Sequence, residues 1–180
     1  MIIGITGRPG AGKSEVSRIL ESMGFVVIEM GSVIKSEMIK KGIEPTPKNT
    51  KEFMLHIREM EGDEVIAKKT VEDVLIKNND NIVITGIRSL TEVEYFKKYI
   101  KNIKMLAIKS PQETRFKRLN KRGRSDDPKT FGEFINYREN NETKVGIDEA
   151  IESSEYVIEN SGTVEELQRS VFLVLEDMNK

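Results

Sequence analysis

The chain has 180 residues, 33% of them charged, and a formal net charge of −1. That length suits one domain with room for a sizeable core, and the near-neutral balance offers no basic face for nucleic acid. The absence of cysteine excludes a disulfide framework and any Cys-based metal or redox centre. The chain opens on MIIGITG, without a basic leader or a long apolar run. The expectation is a cytoplasmic protein, monomer or homodimer, with no nucleic-acid and no membrane partner.

Short β-branched or apolar runs at 2–6, 25–29, 82–85, 103–109 and 156–159 are bounded by Gly, Asn, Ser or Pro and read as five strands. Between the first two, Val16, Ile19, Leu20 and Met23 recur at helical spacing, with Gly24 placed to end the helix. Ala67, Val71, Val74 and Leu75 mark a second amphipathic helix before the third strand, and Val164, Leu167, Val171 and Leu175 mark a C-terminal one. Strands alternating with helices predict a three-layer α/β/α domain around a parallel sheet, with ligands at the carboxyl ends of the strands. The whole chain, 1–180, reads as a single domain. One crossover, 31–80, is far longer than a sheet requires, so it is expected to cover a second ligand.

The stretch GRPGAGKS at 7–14 matches G-x-x-x-x-G-K-[ST] at every fixed position. Gly7, Arg8, Pro9, Gly10, Ala11 and Gly12 would wrap their backbone N–H groups around phosphate oxygens. Lys13 would reach the terminal phosphates, and the Ser14 hydroxyl would ligate magnesium. The motif follows a buried strand and opens a periodic helix, the context its mechanism needs. ATP and Mg2+ are therefore the expected cofactors.

With the P-loop placed first, a long helical segment after the second strand and a late arginine-rich stretch, the chain resembles nucleoside monophosphate kinases and dephospho-CoA kinases. Its likeness is greater to the archaeal P-loop proteins described as adenylate-kinase-related or dephospho-CoA-kinase-related. The resemblance implies a P-loop kinase fold with strand order 2-3-1-4-5. It also implies a nucleotide-like small-molecule acceptor under the 31–80 segment, and a short arginine-rich lid at 111–130.

The segment MGSVIKSEM at 30–38 is similar to the family's T-G-D-x-[LI]-R, with Ser32 at the acid's position and Lys35 at that of the acceptor-binding base. Equally, Ser32 could simply cap a helix. TGIRS at 85–89 is similar to D-G-I-R-S, so Arg88 carries over as an acceptor clamp while Thr85 replaces the acid. Both magnesium-side acids thus become hydroxyls, which can bond a metal-bound water but bring no charge. Glu29, an acid ending the second strand, is a candidate to compensate in part.

Arg115, Arg118 and Arg122 fall on one helical face, and Arg124 follows in a glycine-containing loop. By resemblance this is the lid. Arg115 and Arg118 would meet the donor phosphates, and Arg122, Arg124 and the downstream Arg138 the transferring group; a solvated charged surface is the plainer alternative. Asn160, Ser161 and Gly162 end the fifth strand, where similar kinases recognise adenine. His56, the one histidine, cannot build a metal site without cysteine. The expected activity is ATP-dependent transfer to a nucleoside monophosphate or dephospho-CoA type of acceptor. The competing expectation is a nucleotide-binding switch or sensor descended from such kinases, favoured by the loss of both acids.

Overall fold

The structure is a computed structural model that describes residues 1–77, 80–124 and 127–180, with the side chains of 137 and 138 left aside. Five parallel strands form one sheet in the order β2-β3-β1-β4-β5. They are β1 (Ile2–Thr6), β2 (Val26–Glu29), β3 (Ile82–Ile87), β4 (Lys104–Lys109) and β5 (Tyr156–Glu159). The three central strands are near-continuous apolar runs because helices cover both faces. The edge strands β2 and β5 are half solvated, and their sequences are correspondingly shorter.

On one face, α1 (Lys13–Ser22) and α10 (Val164–Met178) pack Val16, Ile19, Leu20, Leu167, Val171 and Leu175 against Ile3, Ile5, Val83 and Leu106. On the other, α2 (Met30–Lys40), α3 (Pro47–Glu61), α4 (Val65–Lys77) and α5 (Leu90–Tyr99) bury Ile34, Phe53, Ile57, Val71 and Phe96 against Ile28, Ile82, Ile84 and Met105. The long crossover is therefore the three helices α2 to α4. Thr46 caps α3 ahead of Pro47, the residue type that fits a first helical turn because its missing N–H would go unused.

After β4 come α6 (Gln112–Arg122), α7 (Phe131–Glu133), a π-helical stretch (Phe134–Glu139), α8 (Asn140–Val145) and α9 (Ile147–Glu152). Several details depart from the sequence reading. Met23 is exposed just past the end of α1, and Leu75 and Val164 are exposed, so the stripes of α4 and α10 run through Val65, Ile66 and Thr70, and through Leu167 to Met178. The third strand also continues past Thr85 through Gly86 to Ile87, and its register with β1 shifts between Ile5 and Thr6. No helix among the described residues is long and apolar enough to cross a membrane.

Candidate active site

The P-loop leaves β1 at Gly7 and enters α1 through Gly12. Two of its glycines are sterically required. Gly7 has φ +143° and a Cβ there would lie 2.4 Å from the Ile108 carbonyl oxygen; Gly12 has φ +107° and a Cβ would lie 2.2 Å from Asn160 Nδ2. Lys13 Nζ folds back over the loop and donates to the carbonyls of Gly7, at 2.5 Å, and Arg8, at 3.2 Å. Those contacts hold the ammonium over the loop. Ser14 is exposed at the start of α1, where the helix dipole and unpaired N–H groups favour an anion.

One cleft of about 530 Å³ joins this loop to the ends of β2 and β3 and to α6. Pro9, Gly10, Gly12, Lys13 and Ser14 line it from the loop, and Glu29, Gly31, Lys35, Thr50, Thr85, Gly86 and Arg88 from the sheet end and crossover. Arg118, Arg122 and Arg124 close the third side. Among the described residues that line it, six side chains are basic and only Glu29 is acidic, so this lining favours an anionic occupant.

Thr85 lines that cleft, whereas Ser32 does not: it lines a neighbouring pocket between α2 and α4, which Glu29 also lines. Thr85 is buried and paired in register with Ile5 on one side and Glu29 on the other. Ser32 does not cap α2 with a side-chain bond, since the cap residue is Glu29; its Oγ instead donates to Glu29 Oε2 at 3.1 Å. Glu29 is thus the acid the sheet presents here, as the sequence reading allowed. The Thr50 Oγ1, also on the wall, is buried without a hydrogen-bond partner.

Arg88 is half exposed, with Nη1 3.5 Å from Glu142 Oε1. Its turn is fixed from below by Glu92, which accepts from the Arg88 backbone N–H at 2.8 Å and from Arg58 of α3 at 3.4 Å. Burial pushes the Glu92 carboxyl up, against the pull of the Arg88 amide and the Arg58 charge. Nothing local in the sequence singles out this link, although Ser89 with Glu92 three residues on has the spacing of a helix start.

Arg118 reaches the carbonyls of Ala11 and Asn160 and the Asn160 Oδ1, and Asn160 Nδ2 donates to Ala11 O at 2.8 Å. Burial pulls the Arg118 guanidinium down, yet an arginine stays charged in a protein. Beside this clasp lies a pocket of about 190 Å³ lined by Gly12, Arg118, Asn160, Gly162 and Val164. Ser161 is exposed in the same loop. Arg122 pairs with Asp127, which also accepts from the Arg124 backbone N–H at 2.9 Å, so this buried aspartate organises the turn that carries both arginines. Ser125 and Asp126 of the RSDDP segment, and the side chain of Arg138, lie outside the described residues.

One predicted phosphate contact, that of the Arg115 side chain, is corrected. Arg115 does not line the cleft. It is buried, its guanidinium grips Glu139 at 2.7 and 2.8 Å, Nε donates to Ser110 O at 3.0 Å, and the ring of Phe134 lies 5.3 Å away. The reason is its place in the first turn of α6, whose backbone packs directly on the loop at Gly10, leaving the side chain to turn inward. The Arg8 side chain likewise points away, to Asp148 at 2.6 Å, to Thr143 at 2.7 Å and to Glu139 O at 3.2 Å. Only its backbone is positioned to serve the cradle. Burial raises the Glu139 carboxyl, but the bonds and charges of Arg115 and Arg8 outweigh it and hold the group below its ordinary value.

A protein-family model described as an AAA domain matches residues 3–145. The UPF0200 protein of Pyrococcus horikoshii is 43% identical over 175 residues, covering 95% of this chain and 94% of that one. The UPF0200 protein of Methanothermobacter thermautotrophicus is 39% identical over 178 residues, covering 99% and 90%. Among solved structures, TT1252 from Thermus thermophilus superposes with a TM-score of 0.66 at 22% identity, covering 98% of this chain and 97% of that one. The shikimate kinase of Aquifex aeolicus superposes with a TM-score of 0.58 at 18% identity, covering 98% and 96%. These likenesses place the fold among P-loop kinases.

Proposed function

The chain belongs to the UPF0200 family, and on that premise we propose that it is an ATP-dependent phosphotransferase acting on a small anionic acceptor of nucleotide or nucleotide-like type. The observation that carries this reading is the continuity of the cleft. The phosphate cradle with Lys13 and Ser14 opens directly onto a second basic wall, Lys35 and Arg88, which a protein that only held a nucleotide would not need. Arg118 and the clasped Asn160 stand beside the pocket suited to the donor base, and Arg122 and Arg124 face the space between donor and acceptor.

Transfer of this kind needs positioning and charge compensation more than a protein base. The loop amides and Lys13 hold the donor phosphates, Lys35 and Arg88 fix the acceptor's anionic group, and Arg122 with Arg124 offset charge spreading onto the transferred phosphoryl. Ser14 would hold the magnesium, with Thr85 bonding one of its waters; the all-oxygen donor set suits that hard cation. When bound there, magnesium would neutralise part of the phosphate charge. A nucleotide-dependent switch with little turnover is the second reading, and the neutral Thr85 at an expected acid position favours it. Phosphate transfer from ATP to a panel of nucleoside monophosphates and dephospho-CoA, run beside Lys13→Ala, tests the two. Nucleotide binding that depends on Lys13, with transfer to none of the panel, supports the switch.

A further inference from the structure

Magnesium in such a cleft is held through very few protein groups, since it keeps several waters and takes the rest of its shell from phosphates and one or two carboxylates. Ser14 offers a hydroxyl, and Thr85 offers another without charge. The sheet register shows where the missing charge stands. Side chains two apart along a strand share a face. Ile3, Ile5 and Val83 enter the cluster beneath α1, with Val27 packed against it, whereas Ile28, Ile82 and Ile84 enter the cluster on the opposite face.

Thr85 follows Val83 by two and Glu29 follows Val27 by two, so both leave the sheet on the α1 side. The ladder sets Ile5, Thr85 and Glu29 in one row across β1, β3 and β2. Helix α1 begins at Lys13, which puts Ser14 over the end of that same face. Adjacent strands lie about 4.8 Å apart, so Glu29 starts one strand further out than an acid at Thr85 would, an offset its extra methylene over aspartate partly covers. Both Glu29 and Ser14 line the cleft. Among the described residues the only hydrogen-bond donor to the Glu29 carboxylate is Ser32, on Oε2.

We propose that Glu29 is the carboxylate that faces nucleotide-bound magnesium, supplying from β2 the charge that Thr85 leaves out on β3. Ser32, which donates to Oε2, is then a positioning residue for that carboxylate. The proposal rests on the phosphotransferase reading of the cleft and concerns one group within it.

The test is Mn2+ binding, followed by electron paramagnetic resonance with a non-hydrolysable ATP analogue. It compares the wild-type chain, Glu29→Gln, Thr85→Asp and Glu29→Gln/Thr85→Asp, with analogue binding in EDTA measured by calorimetry for each. Glu29→Gln should weaken Mn2+ in the ternary complex by about tenfold or more, the usual cost of losing an outer-shell carboxylate, while metal-free analogue affinity holds or rises slightly. Thr85→Asp should recover Mn2+ affinity in the Glu29→Gln background, because it returns an acid to the same row. Unchanged Mn2+ affinity in Glu29→Gln, or equal loss with and without metal, overturns the assignment of Glu29 alone. A wild-type chain that binds no analogue under either condition overturns the phosphotransferase reading instead.

Discussion

Replacing Arg115 by methionine separates a structural arginine from a phosphate-binding one. The residue is 3% exposed, and its side chain donates twice to Glu139 at 2.7 and 2.8 Å and once to the Ser110 carbonyl at 3.0 Å. Removing one member of a buried ion pair leaves the other charged and unpaired, a loss of about 3–5 kcal/mol. Here Arg8 remains 3.4 Å from Glu139, which puts the loss near the lower end of that range. For a domain of this size about 3 kcal/mol lowers Tm by roughly 6–12 °C. Calorimetric Tm should fall accordingly while ATP affinity, measured below the transition, stays close to wild type. Arg115→Met/Glu139→Met should recover much of the loss, because an apolar pair no longer strands a charge. A Tm shifted by less than about 2 °C together with a large loss of ATP affinity would refute the structural assignment.

The Glu139 pair also sets an acid sensitivity. Its folded-state pKa is depressed, so its contribution is fully present above the ordinary value of 4.5 and is lost as pH falls through the lowered one. Wild type should therefore lose stability below that value more steeply than Arg115→Met/Glu139→Met; parallel curves would contradict this. Asn160→Ala removes the 2.8 Å donor to the buried Ala11 carbonyl, leaving it only the 3.4 Å contact from Arg118, and takes the side-chain acceptor from Arg118 Nη2, which should cost about 1 kcal/mol in urea unfolding and weaken nucleotide binding. Retention of both would show that the clasp is incidental. Thr85→Asp in the otherwise wild-type chain should lower the magnesium concentration needed for half-maximal nucleotide binding, and no change would remove the claim that this row of the sheet faces the metal.

The P-loop was legible in the sequence because its chemistry is local: glycines, lysine and serine at fixed spacing between a strand and a helix. The five strands were legible for a similar reason, as β-branched runs between turn residues. What sequence could not supply was facing. The spacing of Arg115, Arg118 and Arg122 fixes a helical face, yet the backbone contact between Gly10 and α6 decides that Arg115 turns inward. The partners of Arg8 lie well over a hundred residues away, and nothing near that residue signals them. Glu29 was visible as an acid near the P-loop, but only the ladder with Thr85 and Ile5 shows which side of the sheet it leaves. Leu75 and Val164 mislead for the opposite reason: they fit a helical stripe at its margin, where packing stops before the periodicity does.

The most direct measurement of the central claim is transfer of labelled γ-phosphate from ATP, with magnesium, to nucleoside monophosphates and dephospho-CoA by wild type and Lys13→Ala. The account predicts label on at least one acceptor with wild type and none with Lys13→Ala. ATP binding that requires Lys13, accompanied by label on no acceptor, would contradict it and leave a nucleotide-holding protein rather than a kinase.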